Sequence, residues 1–322
     1  EDAGAVLRAG SLLARTAQGS VLLGAGANQV GALAGSAGGA ASDFEFASLG
    51  TLLLDSLAHD AGTAVPGVTA SRTIRLDAVV GDVTQTAAGR VAAPTLLARS
   101  SFGEVNLSAA ANAVGTIAGT ASTGFRYRDG DALTVGIDPP TATSGIAIPG
   151  GGSPVTLVAG TNLVLEAPVN AGAGGVVRLQ AGQDLTQTAA GTITADALLA
   201  RAGRDLLLDG ANATELPGLP GGAGGNAAGT VAAAAGRELW YRSGQSFTVG
   251  SVAADPGLVA GASGAAGGAG ATTRLAATPF GASIAVADPV AGEAVELAAD
   301  GLGIGAAVGA GAALVVVRPF SA

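Results

Sequence analysis

The segment DVTQTAAGRVAAPTLLAR at 82–99 returns as DLTQTAAGTITADALLAR at 184–201, with 12 of 18 positions identical and an offset of 102 residues. Repetition on this scale limits the fold more than any other feature, because a repeated unit buries its apolar face by packing against its neighbouring copies. NAVGTIA at 112–118 and FRYRDGDALTVG at 125–136 return as NAAGTVA at 226–232 and LWYRSGQSFTVG at 239–250, now offset by 114. The 12-residue difference places an insertion between Arg201 and Asn226, where ELPGLPGGAGG reads as a surface loop. An earlier copy precedes these: SLLAR at 11–15 and NQVGALAG at 28–35 match TLLAR at 95–99 and NAVGTIAG at 112–119 at an offset of 84.

Within a copy, β-prone runs of three to five residues begin at Val83, Leu96, Val105, Thr116, Phe125 and Leu133. Runs this short do not fill the strands of about 5–6 residues usual in a sandwich. They suit a coil of stacked turns, each of roughly 20–22 residues and about fifteen in all. Phe125, Arg126, Tyr127 and Arg128 alternate aromatic with guanidinium, the period of a half-buried strand. An α-helical solenoid is the competitor, since Ala favours helix, but Gly and β-branched residues interrupt every window as long as a typical helix. The expected fold is therefore all-β: a right-handed parallel β-helix, or β-solenoid, with short strands and Gly/Pro-rich loop insertions. It would span 1–322 as one solenoid, in approximate blocks 5–72, 73–154, 155–254 and an irregular 255–322.

Composition removes other classes. Hydrophobic residues make up 48% and charged residues 12%, with a net charge of -9, which excludes a disordered polyampholyte. The 54 Gly do not recur at every third position, which excludes collagen. Every basic residue is Arg and none forms a run, so no nucleic-acid footprint is expected. Without Cys there is no disulfide or thiolate site. Met is absent even at position 1, which reads as a processed or excised piece. The 17 uncharged residues between Asp300 and Arg318 are short for a membrane helix and half Gly and Ala. No membrane span is expected there; the reading is a pair of buried β segments with Leu314–Val317 as the final strand.

With VTQTAAGRV, LLAR, NAVGTIAG and ALTVG, the chain resembles the large exoproteins of the filamentous-haemagglutinin type over residues 5–137 and 176–250. The resemblance implies a secreted β-helix at the surface of a Gram-negative bacterium, exported through an outer-membrane secretion partner. Members act as adhesins, filaments or carriers of a distal toxin, so this piece would be a stalk or shaft. The expected function is a non-catalytic extracellular structural or adhesive element, with a surface glycan or host-cell ligand. One alternative is a polymerising subunit of a filament or surface layer, associating end to end through unpaired strand edges. Another is a polysaccharide-active β-helix lyase or hydrolase.

Candidate sites are few. His59, in SLAHDAGT beside Asp60, is the only His and reads as an exposed corner residue. No G-x-S-x-G elbow occurs. Asp129 and Asp131 in RDGD stand at i and i+2, where glycoside chemistry would want a carboxylate pair. The later copy has Ser243 and Gln245 there, so turn-stabilising Asp is favoured over catalysis. The same pair is a weak Ca²⁺ candidate, lacking the full calcium loop. Glycine strings at Gly24, Gly26 and Val30, and at Gly172, Gly174 and Gly175, reflect composition rather than a phosphate cradle. No catalytic residue and no cofactor is expected.

Trp240 takes the outward place of Arg126, and Tyr241 the inward place of Tyr127. Trp240 with Arg242, and Arg126 with Arg128, are therefore the candidate ligand or partner contacts, an aromatic face suited to stacking on a sugar or a partner. The competing reading is that the insertion folds over Trp240. Loops at 138–154, 212–226 and 255–271 break the periodic pattern and are the expected places for binding.

Overall fold

The computed structural model describes residues 2, 4–59, 62–210, 225–255, 262–268, 271–278, 281–311 and 314–319. The chain divides into two compact units, Glu1–Ser153 and Pro154–Ala322. Both are all-β, and no helix occurs among the described residues. Pairing within each unit is parallel apart from three short hairpins.

In the first unit Leu96 on the Val91–Ser100 strand faces Ile117 on Glu104–Ala121, 21 residues later. The same row continues through Ile74 to Phe44, and all four side chains are fully buried. In the second unit Val155, Val177, Leu198 and Val231 make an equivalent row, again fully buried. Ladders of like apolar side chains form because parallel register sets one repeat's inward positions directly over the next. Short strands such as Phe44–Ser48 and Leu163–Leu165 alternate buried and half-buried residues, so one face of each meets the core.

The strands are longer than the sequence suggests. Val21–Ala37 has 17 residues and Glu104–Ala121 has 18, against the expected three to five. The reason is that pairing continues through the bends: register shifts lie between Leu23 and Asn28 and between Leu107 and Asn112, inside single strands. A buried Asn follows each shift. Asn112 Oδ1 accepts from Val91 N at 2.8 Å and from Gln85 Nε2 at 3.0 Å, while its Nδ2 donates to Leu107 O and Arg128 O, both at 2.9 Å. Asn226 repeats this with Ile193 N, Gln187 Nε2, Leu208 O and Arg242 O. Asn28 holds Leu7 N and Leu23 O in the same way. These are the Asn of NQVGALAG, NAVGTIAG and NAAGTVA, so the repeat signature is a set of corner locks.

The final Gly of the first two signatures has a separate cause. A Cβ on Gly119 would lie 2.2 Å from Ala98 O and 2.6 Å from the Phe125 ring, and one on Gly35 would meet Ala14 O and Phe44 equally closely. An inward ring packs directly on the bare backbone.

Three antiparallel hairpins leave the parallel sheet: Ser56–Leu57 with Val65–Pro66, Ile137–Asp138 with Thr143–Ser144, and Ser251–Val252 with Ala262–Ser263. Each closes on a Gly with positive φ: Gly67 at 71°, Gly145 at 72° and Gly264 at 77°. Each hairpin packs against neighbouring strands of the parallel sheet. Val252 packs with Val158, Leu199 and Ala232 in one apolar cluster. That explains the LLA run of the second unit, in which Leu198, Leu199 and Ala200 are buried consecutively rather than alternately; Leu96, Leu97 and Ala98 of the first unit are buried consecutively as well.

The tail departs from expectation. Residues 301–318 form three strands, Gly301–Ile304, Val308–Ala310 and Val315–Arg318, rather than a buried pair. Leu314 is 66% and Val317 53% exposed. Val315–Arg318 pairs on one edge with Ala294–Ala298, and no strand among the described residues covers its other edge. No helix of the described residues is long and apolar enough to cross a membrane.

Candidate functional site

In the first unit, outward positions of successive strands carry opposite charges. Glu45 on Phe44–Ser48 stands in register with Arg75 on Thr73–Ala78, and Asp77 on that strand stands in register with Arg99 on Val91–Ser100. Arg75 bonds Glu45 through Nη1, and reaches Asp138 through Nε at 3.2 Å and Nη2 at 3.1 Å. Arg99 grips Asp77 through Nε and Nη2, at 2.5 and 2.9 Å. Such two-point guanidinium–carboxylate contacts fix geometry as well as charge.

Asp138 comes from the Ile137–Ser144 hairpin and is fully buried. Burial by itself would raise its carboxyl, but hydrogen bonds from Arg75 and from the Thr141 hydroxyl outweigh that and hold it below the usual Asp value. The hairpin thereby borders, beside the charged rows, an open cleft of about 230 Å³. Gly24, Glu45, Phe46, Arg75, Asp77 and Arg99 line it, with the hairpin residues Pro140 and Thr141. In the second unit the third hairpin is tied in a comparable manner, with Thr156 donating to Asp255 and Arg178 to Ala253 O.

The residues singled out by sequence are placed elsewhere. Arg126 is half-buried and bonded to Glu104, and Arg128 is exposed. Trp240 is half-buried: the Arg274 guanidinium lies 4.5 Å from its ring centroid, and its Nε1 donates to Glu238 Oε2 at 3.1 Å. One face of the ring is thus covered by a cation from the next strand rather than open to a ligand. Arg242 is buried at 4% exposure and does not extend an exposed aromatic surface. The insertion proposed to fold over Trp240 lies outside the described residues, as does most of 212–226, Asp60 and part of 255–271.

Asp129 and Asp131 do not form an outward pair. Asp129 is buried, and its carboxylate accepts from Val114 N, the Tyr127 hydroxyl and Asp131 N. Burial pushes its carboxyl above the ordinary value, and burial with the neighbouring Asp129 pushes the Tyr127 hydroxyl well above its own. Asp131 is exposed. In the later copy Gln245 N donates to Ser243 Oγ, which makes the same turn without a carboxylate. No cluster of three or more His, Cys, Asp or Glu able to hold a metal occurs among the described residues.

His59 is exposed. Gly24 lies in the Val21–Ala37 strand and Gly172, Gly174 and Gly175 in Val169–Ala181, so neither glycine string opens a helix. Sequence reasoning missed Glu45, Arg75, Asp77, Arg99 and Asp138. Their signal was faint: alternate residues of short strands carry opposite charges, but the partners lie 22 to 63 residues apart.

Comparison with known protein families, curated proteins and solved structures finds no match to this chain.

Proposed function

We propose that the chain is a non-catalytic extracellular element, structural or adhesive, of a secreted bacterial exoprotein of the filamentous-haemagglutinin type. In this reading the strands of each unit wind as a right-handed parallel β-helix. One observation carries it: strands pair in parallel with successors 21 residues on, as Leu96 does with Ile117 and Leu185 with Leu206. Carboxylates support it too, because they bridge to Arg on neighbouring strands or on the bends that precede them, as in Asp77–Arg99, Asp184–Arg204 and Asp205–Arg237, and so serve the scaffold. Export through an outer-membrane partner and placement on a Gram-negative surface follow from the resemblance in repeat texture.

The test is retention of chain-coated beads on host-cell or glycan-coated surfaces, run beside turnover of anionic polysaccharides. Retention without turnover is expected. Release of new chain ends from a polysaccharide, abolished by Asp129→Asn with Asp131→Asn, would overturn the reading in favour of an enzyme. A second reading, a polymerising subunit, is favoured by the Val315–Arg318 edge, which no strand among the described residues covers, and by its exposed Val315 and Val317. Concentration-dependent fibres in negative stain would select it.

A further inference from the structure

We propose that the cleft beneath the Ile137–Ser144 hairpin binds a small neutral polyhydroxylated ligand, a single pyranose ring of a glycan, through the Arg75 and Arg99 guanidiniums and the Glu45 and Asp77 carboxylates. The inference deepens the adhesive reading and rests on it for its biological sense.

The chemistry of the lining selects this class. Two guanidiniums face three carboxylates, Glu45, Asp77 and Asp138, which leaves one net negative charge and disfavours an anion. Every charge already has an opposite partner, so an ionic ligand would have to break a bidentate pair to gain one. What stays available are the unused N–H groups of each guanidinium, which has five, and the remaining carboxylate lone pairs. These alternate in space as donor, acceptor, donor, acceptor, because the residues come from successive strands in register. A hydroxyl both donates and accepts, so vicinal hydroxyls on a ring match this alternation without separating the ion pairs. Pro140 on the hairpin and Phe46 add apolar surface to the lining, suited to the C–H side of such a ring.

Size agrees. At about 230 Å³ the cleft falls below the ~300–1,000 Å³ usual for drug-sized ligands, which fits one ring and not an extended molecule. Gly24 leaves this part of the lining bare: a Cβ there would meet the Glu45 Cβ and Oε2 at 3.6 Å, an ordinary contact, so a side chain placed there stands beside the Glu45 carboxylate.

The experiment is saturation-transfer NMR on the full chain with methyl glycosides of glucose, galactose, mannose and N-acetylglucosamine, with glucuronate and sialic acid as anionic controls. At least one neutral glycoside should bind saturably, and the anions should not. Gly24→Leu, which fills the cleft, and Arg99→Ala, which strips one wall, should each weaken binding about tenfold or more, whereas Trp240→Ala should leave it unchanged. Thermal unfolding of each variant confirms that it is folded. Should Arg99→Ala fail to fold, Gly24→Leu still decides the matter.

No neutral binding, or binding that survives Gly24→Leu, would overturn the proposal. If coated beads still adhere to glycan surfaces with Gly24→Leu, the cleft is wrong and the adhesive reading stands. If glycosides bind the cleft but beads do not adhere, the adhesive reading fails and the cleft stands.

Discussion

Asn112 is completely buried and joins five groups across a bend: Val91 N, Leu107 O, Arg128 O and both ends of the Gln85 amide. A buried polar group left without its partner costs about 1–3 kcal/mol, so Asn112→Leu should lower stability by about 3 kcal/mol in urea unfolding. The double variant Gln85→Leu with Asn112→Leu should cost less than the sum of the singles, because each otherwise strands the other's amide. Additivity would show that the pair is not a unit. The recurrence of these two side chains was legible, since the repeated segments carry Gln85 and Asn112 again as Gln187 and Asn226. Their contact was not, because 27 residues separate them and no local rule brings two amides together.

Asp129 makes a pH-dependent prediction. Burial raises its folded-state value above that of the unfolded chain, so the folded state holds the proton more tightly, and this group's contribution to stability falls as pH rises through that window. Asp129→Asn does not titrate. Its stability relative to the parent should therefore improve as pH rises from about 4 toward neutral, as followed by urea unfolding across pH. A difference independent of pH would contradict the assignment.

At the scale of elements, the hairpins behave as covers. Val252 seals Val158, Leu199 and Ala232, so Val252→Asp would place a carboxylate in that cluster and should cost about 2 kcal/mol or more. Increased binding of a hydrophobic dye would accompany the loss. Gly119→Ala should be comparably damaging, because its Cβ has a carbonyl oxygen 2.2 Å away and a core ring beside it. Unchanged thermal stability in Gly119→Ala would mean that Phe125 does not pack as described. The repeats made strand existence legible, but strand length was obscured, since the corner Asn let pairing run through bends that look like loops. The hairpins were hidden for another reason. Their sequences, SLAHDAGTAVP, IDPPTATS and SVAADPGLVAGAS, have little in common, and only the following Gly67, Gly145 and Gly264 mark the shared geometry.

Over the whole molecule, several carboxylates act as partners of Arg. Hydrogen bonds from Arg72, Arg204 and Arg237 hold Asp43, Asp184 and Asp205 below the usual carboxylate value. A depressed folded-state value stabilises fully above the unfolded value and is lost as pH falls through the folded one. Thermal stability should therefore hold down to about pH 4 and decline below it. These pairs are partly solvent-exposed and screened by water, so the decline should be gradual. Added salt should weaken their share at neutral pH.

Because the chain has no Cys, parallel pairing in steps of about one repeat turn can be read directly by engineered cross-links. Asn106 faces Arg126 in the first unit and Thr186 faces Leu207 in the second. Neighbouring strands about 4.8 Å apart suit the Cα spacing of a disulfide. Asn106→Cys with Arg126→Cys, and Thr186→Cys with Leu207→Cys, should oxidise quickly and quantitatively within one chain. Asn106→Cys with Arg128→Cys, shifted by two residues, should not. Equal or faster closure of the shifted pair, or failure of both in-register pairs, would contradict the parallel arrangement.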